Sequence, residues 1–247
     1  RFTQKWLSLQ MNLIVFLIGD TIIRASNSFI KIGCKSDNSN SSRLQIYISN
    51  FWYTNLVNRN SNHVSEISFN FHFLSSIIPV RINLKKPFIP NLSTHTKLDI
   101  PNIPYFILFP SAMHSYRKWS VKNFIDVGNY IIDNYNICPV ICGSKSEFNL
   151  CDEISKNLQV KGFNLAGKSN LCDLIELIRN ANIVITNETS AIHISVATNT
   201  SAVCILGGGH FGRFAPYPNL NNKMKQIFVY NQMDCFGCNW DCILTED

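Results

Sequence analysis

The densest set of chemistry-bearing side chains lies in residues 182–212, NIVITNETSAIHISVATNTSAVCILGGGHFG. A short β-branched run ends in the turn formers Asn187, Glu188 and Thr189, and an apolar helical segment with Ile192, His193, Val196 and Ala197 follows. Thr189 is placed to cap that helix. The turn then presents free backbone N–H groups, the Thr189 and Ser190 hydroxyls and the Glu188 carboxylate at a helix N-terminus. Such a terminus attracts anions by about 0.3–1 kcal/mol per exposed charge and about 2 when partly buried. His193, four residues after Thr189, lies on the same helix face as the cap. A phosphate-bearing ligand is the chemistry this set suggests, although a histidine on a buried helix is as readily a satisfied core residue.

Three further motifs could act on the same ligand. PSAMHSYRKW (110–119) follows an apolar run and precedes a helical one, so Arg117 and Lys118 stand where a diphosphate could be gripped, Arg bidentately. The bland reading is a solvated basic pair, and Trp119 reads as an anchor to the core. GGGHFGRF (207–214) matches G-x-G-x-x-G through Gly207, Gly209 and Gly212. A dinucleotide fingerprint must open a helix, and this run meets Arg213, Pro216 and Pro218 instead, which rejects that reading. Two readings are left: a structural turn, or a loop that lets the backbone approach a ligand at Gly209 with His210 and Arg213 as donors. CFGCNWDC carries Cys235, Cys238 and Cys242. These could hold zinc or an iron–sulfur cluster with a fourth ligand from elsewhere, or be free thiols or a redox pair.

The elements needed to position these motifs follow a regular rhythm after residue 100. Strands are expected at Tyr105–Phe109, Ile137–Cys142, Gly162–Leu165, Asn182–Thr186 and Ser201–Leu206. Helices are expected from a Ser120 cap through Tyr135, over Glu147–Leu158, and from a Ser169 or Asn170 cap along Leu171, Leu174, Ile175 and Ile178. Strands alternating with single helices give a parallel sheet covered on both faces, which binds ligands beyond the carboxyl ends of its strands. Residues 1–100 are less regular. Strands are expected at Leu13–Ile18 and Ile77–Leu84, a helix at Asp20–Ile32, a polar loop at Lys35–Ser42 and mixed, partly helical spacing over Phe51–Phe73. Prolines 79, 87, 90, 101 and 104 place a domain boundary near 88–103, giving domains 1–100 and 101–247.

The bulk numbers agree with a globular α/β protein. The chain has 247 residues, 46% hydrophobic and 15% charged, with a formal net charge of +6. That charge suits an anionic substrate or an acidic membrane surface, and no dense Lys/Arg run of the nucleic-acid-binding kind is present. Nine cysteines scattered through predicted strands and helices favour a reducing compartment over a disulfide framework. The run Leu13–Ile18 is too short to span a bilayer, which takes about 20 apolar residues.

Taken together, PSAMHSYRKW, GSKSEF, LAGKSNLCDLIELIRNANIVITNETSAIH and the strand–glycine loop resemble glycosyltransferase family 9, whose best-known members are bacterial ADP-heptose:lipopolysaccharide heptosyltransferases. The likeness is good over 103–240 and faint before, where KIGCKSDNSN and residues 63–73 look like the later part of the family's first domain. It implies an α/β GT-B fold of two Rossmann-like domains, the second complete or nearly so and the first partial. It implies inverting, metal-independent transfer from a nucleotide-diphosphate sugar, without a cofactor, to a glycan or glycolipid acceptor. It implies a place in the cytoplasm, with peripheral contact at the cytoplasmic face of the inner membrane as an expectation. Arg117 and Lys118 would take the family's basic pair near the diphosphate, and Glu188, Thr189, Ser190 and His193 its D-[ST]-G-x-x-H. Ser111, Gly209, His210 and Arg213 join the expected donor site. Ser111 and Ser190 replace family glycines and Glu188 an aspartate one methylene shorter, which puts the heptose preference in question. The family's catalytic aspartate is expected before Arg1, with Glu188 a weak candidate. Rival readings are a GT-B epimerase or hydrolase, a non-catalytic nucleotide-sugar-binding protein, and a metal or iron–sulfur protein using the three cysteines.

Overall fold

The computed structural model describes residues 19–35, 41–58, 65–78, 86–91, 98, 102–218 and 225–240. The chain divides into two compact units, Arg1–Asn83 and Leu84–Asp247. This division lies within the proline-rich stretch and ahead of residues 88–103, near which the sequence places a boundary. Ile89 and Pro90 already belong to the second unit: the Ile89 N–H donates to the Ala197 carbonyl (3.1 Å), and Arg179 donates to the Ile89 and Pro90 carbonyls (3.1 and 2.9 Å).

In the first unit, residues 19–25 are helical, so the helix expected over Asp20–Ile32 is shorter than its apolar pattern. It gives way at Ser26-Asn27-Ser28, whose side chains compete for backbone hydrogen bonds. Strand β1 (Ile32–Cys34) then pairs in parallel with β2 (Asn55–Val57). Helix α1 (Arg43–Asn50) lies between them in sequence and starts with a capping box of Ser42 and Gln45. Helix α2 (Glu66–Ile77) is capped by Ser65. Ile77 therefore ends a helix rather than opening the strand expected at Ile77–Leu84, most of which lies outside the described residues. The strand expected at Leu13–Ile18 also lies outside them.

The second unit is a six-stranded parallel sheet: β3 (Tyr105–Phe109), β4 (Cys138–Ile141), β5 (Phe163–Asn164), β6 (Ile183–Asn187), β7 (Ala202–Ile205) and β8 (Gln226–Val229). Their order across the sheet is β5-β4-β3-β6-β7-β8. Helices α3 (Val121–Tyr135) and α4 (Phe148–Asn157) cover one face; α5 (Leu171–Asn180) and α6 (Ser190–Thr198) cover the other. Burial on both faces explains the unbroken apolar strand YFILF, where Phe106, Ile107 and Leu108 are fully buried. Each such side chain contributes about 1.5–3 kcal/mol of transfer free energy.

Caps set the helix limits. Ser120, Asn170 and Thr189 side chains accept N–H bonds at the starts of α3, α5 and α6. Asn136 and Asn199 end α3 and α6 in the left-handed conformation. Strand β8 has no counterpart in the sequence expectations. It is a four-residue edge strand with Ile227 and Val229 exposed, too short and too little buried to leave a periodic signal. Among the described residues no helix is long and apolar enough to cross a membrane.

Candidate functional site

Strand order reverses direction between β3 and β6, since the chain runs outward from β3 to β4 and β5, then returns to β6 and continues to β7 and β8. In open parallel sheets a ligand crevice forms beyond the carboxyl ends of the strands at such a switch point. The loop after β3 carries Ser111 and Arg117; the turn after β6 carries Glu188, Thr189 and Ser190. The topology therefore brings the two sequence motifs side by side.

Asn187 stitches the two loops together. It is completely buried at the end of β6, and its amide donates to the carbonyls of Pro110 (2.8 Å) and Ser111 (3.3 Å) while its side-chain oxygen accepts from the Trp119 N–H (3.1 Å). Trp119 packs edge-on against Phe124 (5.2 Å), anchoring the loop to α3 as its sequence position suggests.

Across this seam Arg117 Nη2 stands 3.1 Å from Glu188 Oε2 and donates to the Glu188 carbonyl (3.2 Å). Both side chains are largely withdrawn from water, at 17% and 5% exposure. The pair is close but incompletely aligned. Arg117 Nε and Glu188 Oε2 are buried with no hydrogen-bond partner among the described residues. A buried charged group left without its hydrogen bonds is costly, and such orphan atoms mark places that a ligand can satisfy. Burial pushes the Glu188 carboxyl above its ordinary value, and the Arg117 guanidinium offsets part of that rise.

Glu147, which sequence reading passed over, joins the same edge from the loop after β4. It accepts from the Ser111 hydroxyl, the Ser144 N–H (2.8 Å) and the Ser144 hydroxyl (2.7 Å). Burial opposes its charge, yet those hydrogen bonds and the Lys118 ammonium hold the carboxyl below its ordinary value. Ser111 is buried and engaged with Glu147, whereas Lys118 is exposed. The capping-box spacing Ser144–Glu147 was the available signal for this residue.

On the other side of the turn, Thr189 caps α6 through its hydroxyl, and Ser190, the first helical residue, is exposed. His193 is half-buried, its Nδ1 2.8 Å from the Tyr217 hydroxyl. Burial lowers the His193 imidazole below its ordinary value and raises the Tyr217 phenol to about 12, so both are neutral near pH 7.

The glycine loop has a different logic. It opens no helix, as the prolines beyond it require. Gly207, Gly208 and Gly209 do not need a left-handed backbone; they need to lack side chains. A Cβ on Gly207 or Gly209 would sit 2.5 or 2.4 Å from the Trp240 ring, and one on Gly208 2.3 Å from Phe236. The C-terminal segment 235–240 thus fills the space above the loop. It is tied there by hydrogen bonds from the Gly237 N–H to the Gly208 carbonyl (2.9 Å) and from the Asn239 N–H to the Gly209 carbonyl (2.8 Å). Trp240 also covers the Arg117 guanidinium at 5.0 Å, and its N–H donates to His210 Nδ1 (3.2 Å). Its φ of 65° is unusual for a bulky residue, a strain of roughly 1–3 kcal/mol of the kind found at ligand sites. Arg213 lies over Phe214 at 5.2 Å.

Cys235 and Cys238 are partly exposed free thiols, and Cys242 lies outside the described residues. Among the described residues no group of three or more His, Cys, Asp and Glu side chains could hold a metal ion.

A doubly wound parallel domain with an anion-compatible crevice at its switch point defines the class of protein. Residues 22–240 match the model of glycosyltransferase family 9 (heptosyltransferase), and the chain belongs to that family. It is 26% identical to the lipopolysaccharide core heptosyltransferase OpsX of Haemophilus influenzae over 133 residues, 53% of this chain and 38% of that protein. It is also 26% identical to lipooligosaccharide heptosyltransferase 2 of Campylobacter jejuni over 180 residues, 70% of this chain and 52% of the relative. The chain spans about half or less of the length of these relatives.

Its fold resembles the family 9 glycosyl transferase of Veillonella parvula, with a TM-score of 0.63 at 14% identity over 87% of this chain and 66% of that one. It also resembles E. coli heptosyltransferase WaaC with ADP-2-deoxy-2-fluoro heptose, with a TM-score of 0.52 at 11% identity over 81% and 58%. The α/β GT-B class expected from the sequence is therefore the observed one.

Proposed function

We propose that the second unit is the donor-binding part of a glycosyltransferase, and that the crevice between the loops after β3 and β6 holds the diphosphate of a nucleotide sugar. One observation carries this reading. An arginine whose buried Nε has no hydrogen-bond partner among the described residues faces a buried carboxylate at the switch point of a parallel sheet. Lys118 and the free N–H groups at the start of α6 add positive potential at the same edge. Relatives named as lipopolysaccharide and lipooligosaccharide heptosyltransferases support a heptose-type donor and a glycolipid acceptor. Such an acceptor brings the enzyme to the cytoplasmic face of the inner membrane.

In the reaction an acceptor hydroxyl attacks the anomeric carbon, the bond from that carbon to the diphosphate oxygen breaks, and the configuration inverts. The hydroxyl proton passes to a base. Negative charge grows on the departing diphosphate, and Arg117, Lys118 and the α6 N–H groups meet it with protein cations and dipoles in place of a metal ion. Once phosphate oxygens engage Arg117, the Glu188 carboxylate is released to accept from a sugar hydroxyl. His193 and Tyr217 supply a neutral donor–acceptor pair beside it. The first unit would serve the acceptor side, and the second, Leu84–Asp247, the donor.

The test is transfer from ADP-heptose to a lipopolysaccharide-core acceptor by wild-type protein and Arg117→Ala. Losing one such charge-meeting donor lowers the rate about 10²–10³-fold, or about 2.7–4 kcal/mol. Near-normal transfer by a folded Arg117→Ala protein would sink the assignment. Donor consumption at full rate without acceptor would point to a hydrolase.

A further inference from the structure

We propose that Trp240 is a positioning residue for the donor site: its indole N–H fixes His210 as the Nε2–H tautomer, while its ring face holds the Arg117 guanidinium. The inference rests on the donor-site reading above for its functional consequence, but its geometry stands by itself.

An indole nitrogen can only donate. The 3.2 Å contact between Trp240 Nε1 and His210 Nδ1 therefore makes Nδ1 the acceptor and places the imidazole proton on Nε2. A doubly protonated ring would have to give up this bond. The charged groups facing the ring act in the same direction, since burial first, then the Arg213 and Arg117 guanidiniums, lower the His210 imidazole below its ordinary value. His210 is thus a neutral Nε2–H donor near pH 7, suited to a phosphate or sugar oxygen.

Four features show that this contact is built into the fold. Gly207 and Gly209 lack the side chains that would collide with the Trp240 ring. The Asn239 N–H fastens the preceding residue to the Gly209 carbonyl. Trp240 holds a left-handed backbone, φ 65°, to reach its place. The same ring lies 5.0 Å from the Arg117 guanidinium carbon, so one side chain orients two groups from different loops. The glycine run thus serves the site indirectly: it makes room for the residue that orients the donors.

The test is nitrogen-15 NMR of the His210 ring in the full chain, with calorimetric titration of ADP. In the wild type, His210 should show a protonated Nε2 and a bare, hydrogen-bonded Nδ1 from pH 8 down through pH 6.5. Trp240→Phe keeps an aromatic face for Arg117 and the glycines but removes the N–H. Its His210 should become doubly protonated at higher pH than in the wild type, and ADP affinity should fall by about 3- to 10-fold, the worth of one hydrogen bond. His210→Phe should make the Trp240→Phe change silent toward ADP.

A protonated Nδ1 in the wild type overturns the proposal without any variant. An unchanged His210 titration in folded Trp240→Phe does so too. If the ring behaves as described but folded wild-type protein binds no diphosphate, the donor-site reading fails and the tautomer assignment stands.

Discussion

Two loop pairs cap the carboxyl edge of one sheet, and they are built on opposite plans. The pair after β3 and β6 buries charge: Arg117 against Glu188, with Asn187 closing the seam and two polar atoms left unpartnered among the described residues. The pair formed by the glycine loop after β7 and the segment 235–240 buries aromatic rings against absent side chains. The first arrangement costs folding free energy, which a bound ligand would offset. The second matches G-x-G-x-x-G in sequence, yet Gly207, Gly208 and Gly209 are explained by packing.

The comparison breaks most clearly on rate. Arg117→Ala should cost about 10²–10³ in sugar transfer, whereas Arg213→Ala, on the packing side, should change it by no more than about tenfold. Transfer assays on both variants decide this, and equal losses would erase the distinction.

Stability sharpens the contrast from the other side. Gly209→Val forces a side chain into the Trp240 ring and should lower stability by roughly 1–3 kcal/mol, read by chemical denaturation. Asn187→Ala should cost a similar ~1–3 kcal/mol, because the Pro110 carbonyl and the Trp119 N–H lose their buried partner. The two differ in a second readout. Asn187→Ala should also weaken diphosphate binding, since both crevice loops hang on that side chain.

The smallest effect expected is on pH. His193 and His210 both sit below their ordinary value of 6.5, chiefly through burial. The folded state then binds fewer protons than the unfolded one, so their contribution is present above about pH 6.5 and is lost as pH falls through the folded values. The depressed Glu147 carboxyl acts in the same direction at lower pH, and the raised Glu188 carboxyl opposes it. Thermal denaturation between pH 7.5 and 5.5 should show a falling melting temperature that is flattened in a His193→Phe, His210→Phe double variant. An unchanged slope would mean that other groups dominate.

Much of the second unit was legible in the sequence. The YFILF and IVITN runs, the caps Ser120, Asn170 and Thr189 and the apolar stripes between them fix a parallel sheet whose carboxyl edge holds Arg117 and Glu188. That the two residues pair, rather than each waiting for ligand, was not legible: their separation of 71 positions is closed only by strand order. Trp240 was invisible for a similar reason. Nothing in NWDC says that an aromatic ring returns to a glycine loop 30 positions earlier; only the three-dimensional collision with absent Cβ atoms says so. Strand β8 and the early end of the helix at 19–25 escaped because edge exposure and serine-rich turns blur the periodicity on which the reading depends.

The most direct measurement is calorimetric titration of ADP into the wild-type chain and into Arg117→Ala, with adenosine as a control that lacks the diphosphate. Saturable ADP binding to the wild type, no comparable binding of adenosine, and at least tenfold weaker ADP binding by a folded Arg117→Ala protein are the expected results. Equal ADP affinity in the two proteins, or equal affinity of the wild type for adenosine and ADP, would contradict a diphosphate site at the β3–β6 crevice.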